Sequence, residues 1–81
     1  MNTDIYLEPL LNHLLSMKTA EDMEQALQAL LTPAELSEIG KRLQIFRMLE
    51  EGVPQRQIAE TLGVGIATVT RGSRALKASG R

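Results

Sequence analysis

Side chains able to engage an anion or the edge of a base concentrate in one stretch, Gln55 to Lys77, which reads QRQIAETLGVGIATVTRGSRALK. Arg56, Arg71, Arg74 and Lys77 stand there against a single acid, Glu60. Catalysis has far less to work with. The chain has no cysteine, its one histidine is His13, and no nucleophile–base pair or metal-ligand cluster can be assembled. Gly63-Val64-Gly65 is too short for a phosphate loop. The expectation is a binding protein rather than an enzyme, with no catalytic residue, no metal site and no resident cofactor.

The elements that must position those cations are two short helices around a tight turn. Ile58, Ala59, Leu62, Val64 and Val69 are spaced to pack the helices together. Helices that cross steeply need a small residue at their closest approach and a residue between them that accepts positive φ; Ala59 and Gly63 meet these demands. With Val69 as the core residue of the second helix, the spacings of four and six are those of a DNA-binding helix-turn-helix. The same pattern is open to another reading, a helical hairpin in an unrelated bundle.

Phasing the second helix at about 100° per residue separates three faces. Leu76 and Ser73 lie within about 40° of Val69, the inward direction. Ile66, Ala67, Thr70, Arg74 and Lys77 occupy roughly 60° to 160° and form the DNA-facing side. Arg71, Ala75, Thr68 and Gly72 occupy roughly 200° to 300°, where a long cation among small residues is expected to wall a cavity.

A chain of 81 residues makes one domain, 1–81, whose core is marginal at this size, so oligomerisation is expected. The net charge of −1 hides a division: residues 53–81 carry five cations against one acid, +4, and residues 1–52 four against nine, −5. The division places a DNA-binding region at 53–78 and a helical dimerisation core at 1–52. No run of about 18 apolar residues exists and the N-terminus is acidic, so a cytoplasmic chain with no membrane partner is expected.

Met1 to Met17 carries Ile5, Tyr6, Leu7, Leu10, Leu11, Leu14, Leu15 and Met17 at mostly helical spacing, with Pro9 setting the regular helix to begin near Glu8. Its apolar side chains exceed what a small monomer covers, and a partner chain is the simplest cover. His13 there is a helix-surface or interface residue. Thr19 and Asp22 resemble a capping box before a helix with Met23, Ala26, Leu27, Leu30 and Leu31 along one side. Thr32-Pro33-Ala34-Glu35 opens a third helix running to about Glu51, with Leu36, Ile39, Leu43, Phe46 and Leu49 or Glu50 along its face and Gly52 ending it. Pro54 starts the next helix. No strand pattern is present.

Leu31-Thr32-Pro33-Ala34-Glu35, Gly40-Lys41-Arg42, Gln55-Arg56, Leu76-Lys77 and above all Gly65-Ile66-Ala67-Thr68-Val69-Thr70-Arg71-Gly72-Ser73 resemble the bacterial tryptophan repressor family. The similarity runs over roughly residues 30–78; residues 1–29 match less closely, and Met17 to Leu30 is also similar to a related group of repressor-like proteins. The resemblance implies an all-α, five-helix domain in an intertwined homodimer. Such a dimer binds L-tryptophan as corepressor, docks on a palindromic double-stranded operator and shuts off tryptophan-biosynthetic genes.

It implies roles residue by residue. Arg42 and Arg71 match the two arginines that sandwich the indole; planar guanidinium groups stack on aromatic faces and also meet a carboxylate. Leu31, Thr32, Thr68 and Gly72 match other pocket positions. Arg56 matches a direct base contact, its fork suited to guanine O6 and N7. Ile66, Ala67 and Thr70 match readers at the start of the recognition helix, and Gln55, Ser73 and Lys77 match phosphate contacts. For Arg42 the residues alone leave another role open, a surface ion pair with Glu38 four positions earlier.

Three departures qualify the carry-over. Ala75 stands where the family commonly presents a serine hydroxyl to the ligand's amino group. The loop Gly52-Val53-Pro54 is one residue shorter than in the family, and the chain stops at Arg81 where the family continues into a last helix. Beside a tryptophan-dependent repressor, these leave a repressor-like regulator that binds DNA constitutively or answers to another small ligand. A third reading, a helical interaction module or the DNA-targeting fragment of a larger enzyme, predicts neither ligand binding nor a stable dimer.

Overall fold

The computed structural model describes residues 5–79. Five helices follow one another, α1 (Leu7–Leu15), α2 (Ala20–Leu30), α3 (Pro33–Glu50), α4 (Gln55–Leu62) and α5 (Ile66–Ala78), and no strand occurs among the described residues. The chain divides into two compact units, Met1–Leu36 and Ser37–Arg81.

In the first unit the helix starts are fixed by side chains. Thr19 Oγ1 accepts the Asp22 N–H at 3.0 Å and opens α2. Before α3, Thr32 Oγ1 accepts the Glu35 N–H at 3.1 Å while Glu35 Oε1 accepts the Thr32 N–H at 2.8 Å, a reciprocal capping box. Of α1 no residue is buried; Leu7, Leu10, Leu11 and Leu15 are all exposed and only Leu14 is half-buried. In α2 Ala26 is buried, Met23 and Leu27 are half-buried, and Leu30 is exposed.

The second unit packs α4 and α5 on the C-terminal part of α3. Its centre is Ile45, Ile58 and Val69, one from each helix and each at most 1% exposed, with Met48, Leu49, Val53, Ala59, Leu62 and Val64 around them. Ile58, Ala59, Leu62, Val64 and Val69 are the helix-turn-helix residues whose spacing predicts this packing. Gly63 closes α4 with φ 67°, its neighbour Val64 donating to the Ala59 carbonyl at 3.0 Å. That six-to-one bond is a Schellman ending, and it holds the turn tight. Gly52 ends α3 the same way, with Val53 donating to Met48.

One expectation for α3 needs correction. Of the expected line on α3, Leu49 packs against the core and Leu36 and Phe46 are half-buried, but Ile39 and Leu43 are 47% and 51% exposed, and Ile45, outside that line, is the buried residue. The reason is geometric. Apolar residues lie on two sides of α3, and Ile45, Met48 and Leu49 form the side where α4 and α5 settle.

Candidate ligand hollow and nucleic-acid interface

α3 and α5 approach closely enough that a Cβ on Gly72 would stand 2.8 Å from Ile45 Cγ2. Beside this contact α3 and α5 line an open hollow of about 340 Å³. From α3 it is lined by Glu38, Arg42, Ile45 and Phe46, and from α5 by Thr68, Arg71, Gly72 and Ala75. The α5 contribution is the face that helical phasing assigns to a cavity wall, and positions 68, 71, 72 and 75 recur at the spacing that keeps side chains on one side of a helix. The volume lies at the lower end of the roughly 300–1,000 Å³ of small-molecule pockets.

The wall is apolar at its base and charged at its edge. Ile45 and Phe46 supply hydrocarbon and ring surface, Ala75 a methyl group, and Arg42 and Arg71 planar cations. Arg71 Nη2 donates to Thr68 Oγ1 at 3.4 Å, a long contact. Arg42 Nη2 meets Glu38 Oε2 at 3.0 Å, both side chains more than 60% exposed. Such a pair one helical turn apart contributes about 0.3–0.5 kcal/mol at most, so it orients Arg42 without fixing it. The ion pair anticipated for Arg42 is therefore present, and so is its place in the hollow. Two guanidiniums against one carboxylate give the wall a positive balance suited to an anionic group on a planar apolar body.

Leu31 and Thr32, the remaining two residues expected at a ligand, belong to the first unit. Leu31 is half-buried at the end of α2, and Thr32 is engaged in the capping box of α3. Sequence reasoning did not assign Glu38, Ile45 or Phe46 to the hollow. Ile45 and Phe46 lie one turn after Arg42 on α3, a spacing that could have pointed to them, whereas nothing in the sequence separates Glu38 from an ordinary surface acid.

The other side of α5 carries the expected DNA-facing residues. Ile66 is 51% exposed, and Ala67, Arg74 and Lys77 are exposed, as is Arg56 on α4. Ser73 is half-buried, in keeping with a phase near that of Val69. Thr70 and Gln55 are also half-buried, and they are joined: the Thr70 hydroxyl donates to Gln55 Oε1 at 2.9 Å, with the Ile66 carbonyl 3.0 Å away as its other acceptor. This bond braces α5 against the first turn of α4. It also leaves the Gln55 amide nitrogen as the free end of that side chain, a donor where a phosphate acceptor is expected. No helix among the described residues is long and apolar enough to cross a membrane.

The family model described as Trp repressor protein matches residues 6–80. The chain is 44% identical to a Trp operon repressor homolog of Vibrio atlanticus (strain LGP32) over 66 residues, which is 76% of this chain and 67% of that protein. It is 47% identical to the homolog of Actinobacillus succinogenes over 55 residues, 67% of this chain and 54% of that one. With the homolog of Vibrio cholerae serotype O1 the identity is 48% over 58 residues, 70% and 56% of the two chains. The chain thus spans between about half and two thirds of the length of these relatives. Among solved structures none matches it significantly.

Proposed function

We propose that this chain, which belongs to the Trp repressor family, is a sequence-specific DNA-binding transcriptional repressor that works as a cytoplasmic homodimer and is corepressed by L-tryptophan on tryptophan-related genes. The observation that carries the reading is that α5 serves two sides at once. One face walls the hollow with Arg71, Thr68, Gly72 and Ala75; the opposite one presents Ile66, Ala67, Thr70, Arg74 and Lys77. A planar ligand between α3 and α5 would bear on the tilt of the helix that meets DNA, shifting the population toward a DNA-competent geometry. In this reading Arg42 and Arg71 stack on the indole and meet its carboxylate, Thr68, Gly72 and Ala75 complete the ligand's surroundings, Arg56 reads a base, and Gln55, Ser73 and Lys77 hold phosphates.

Thermal unfolding with and without excess L-tryptophan, at fixed protein concentration, tests the ligand step. At about 100 times the dissociation constant one site per chain adds roughly 2.7 kcal/mol, a rise in Tm on the order of 10 °C for a domain this small. An aliphatic amino acid should give none. No shift with tryptophan would favour the second reading, a family member that binds DNA constitutively or answers another ligand. The specific observation behind that reading is Ala75, whose methyl group lines the hollow and offers a ligand no hydrogen bond.

A further inference from the structure

The hollow has an acid in its wall. Glu38 lies one turn before Arg42 on α3, 3.0 Å from its guanidinium, and is the only carboxylate among the described residues that line the cavity. We propose that Glu38 is a specificity-determining residue that receives the ammonium group of an α-amino acid ligand, so that the hollow selects the zwitterion over a simple aromatic acid. The inference rests on the ligand reading above and deepens it by naming the side chain that meets the ligand's ammonium group.

The argument is one of charge and reach. Two guanidiniums suit a carboxylate and the face of a ring, and by themselves they repel an ammonium. Ile45, Phe46, Gly72 and Ala75 offer no side-chain acceptor to offset that repulsion, and Thr68 Oγ1, 3.4 Å from Arg71 Nη2, is a neutral acceptor that carries no charge to offset it. Without Glu38 this wall would therefore prefer an aromatic acid with no amino group. With it, each charge on an α-amino acid has an opposite partner within the same cavity. Glu38 is 62% exposed and its pair with Arg42 is a weak surface one, so the carboxylate can turn to a ligand at little cost. It can do so while Arg42 remains beside it.

Isothermal titration calorimetry of the full chain with L-tryptophan and with indole-3-propionate decides the matter. The second compound keeps the ring and the carboxylate and lacks the ammonium. Wild type should bind tryptophan roughly tenfold more tightly than the propionate, a modest ratio for a charge-assisted contact at a part-exposed site. Glu38→Gln, which keeps length and shape and removes the charge, should bring the two within about threefold, mainly by weakening tryptophan. Glu38→Ala repeats the test with the side chain gone, and circular dichroism checks that both variants stay helical. Equal affinities in wild type, or an undiminished preference in both variants, would overturn the role of Glu38 and leave the ligand reading standing. Failure of wild type to bind either compound would remove the ligand reading and this inference with it.

Discussion

Arg71 and Arg56 are both exposed cations of the helix-turn-helix, but they belong to different helices and only Arg71 lines the hollow. Arg71 lines the hollow with its 3.4 Å contact to Thr68, whereas Arg56 is exposed in the first turn of α4. Exchanging either for alanine should separate two measurements. Arg71→Ala should abolish the tryptophan-induced rise in Tm while leaving the ligand-free melt within about 0.5 kcal/mol of wild type, the usual range for exposed positions. An undiminished rise would take Arg71 out of the ligand's surroundings. Arg56→Ala should weaken operator binding by about 1–3 kcal/mol in a gel-shift titration, with tryptophan affinity unaltered, as befits a bidentate base contact. Operator affinity equal to wild type would take Arg56 out of the groove. The position of Arg71 in the hollow follows from a 100° helical step and the choice of Val69 as inward. That of Glu38 does not, because a surface acid four residues from an arginine looks the same in sequence whether or not a cavity lies beside it.

At the scale of elements, the helix starts and stops were readable because their causes are local. Thr19, Thr32 with Glu35, Gly52 and Gly63 each act within a few residues of the groups they satisfy. The facing of α3 was not, since which of two apolar sides is buried depends on where distant α4 and α5 settle. Gly72 shows the same limit. From sequence it is a small residue facing a cavity; in the structure it is also where α5 comes nearest α3. Gly72→Ala should consequently destabilise the fold although alanine is the better helix former. A Cβ 2.8 Å from Ile45 Cγ2 pushes on a β-branched side chain that is 1% exposed and stiff at χ1. Overpacking of this kind costs about 1–3 kcal/mol, and helix propensity returns at most about 1 kcal/mol. Chemical denaturation should show a net loss of up to about 2 kcal/mol. A gain in stability would mean that α5 can ride away from α3 without cost, and the walls of the hollow would then not be fixed by this contact.

For the molecule as a whole, charge and exposed apolar surface argue together. The cations of residues 53–81 belong to the helix-turn-helix half, whereas α1 leaves Leu7, Leu10, Leu11 and Leu15 uncovered in the acidic half. If the acidic half pairs two chains and the basic half meets DNA, every phosphate contact is made twice. That doubling is measurable through counterion release, because the logarithm of the binding constant falls with the logarithm of salt concentration by about 0.9 for each phosphate neutralised. Lys77 is an exposed cation in the last turn of α5, far in sequence from the proposed base contacts of its first turn. Lys77→Ala should lower operator affinity evenly across sequences and make the salt slope shallower by about 1.8, two contacts per complex. A change of about 0.9 would mean that a single chain occupies the site, against the dimer. An unchanged slope would place Lys77 away from the phosphates, and the DNA-facing side of α5 would then end before its last turn.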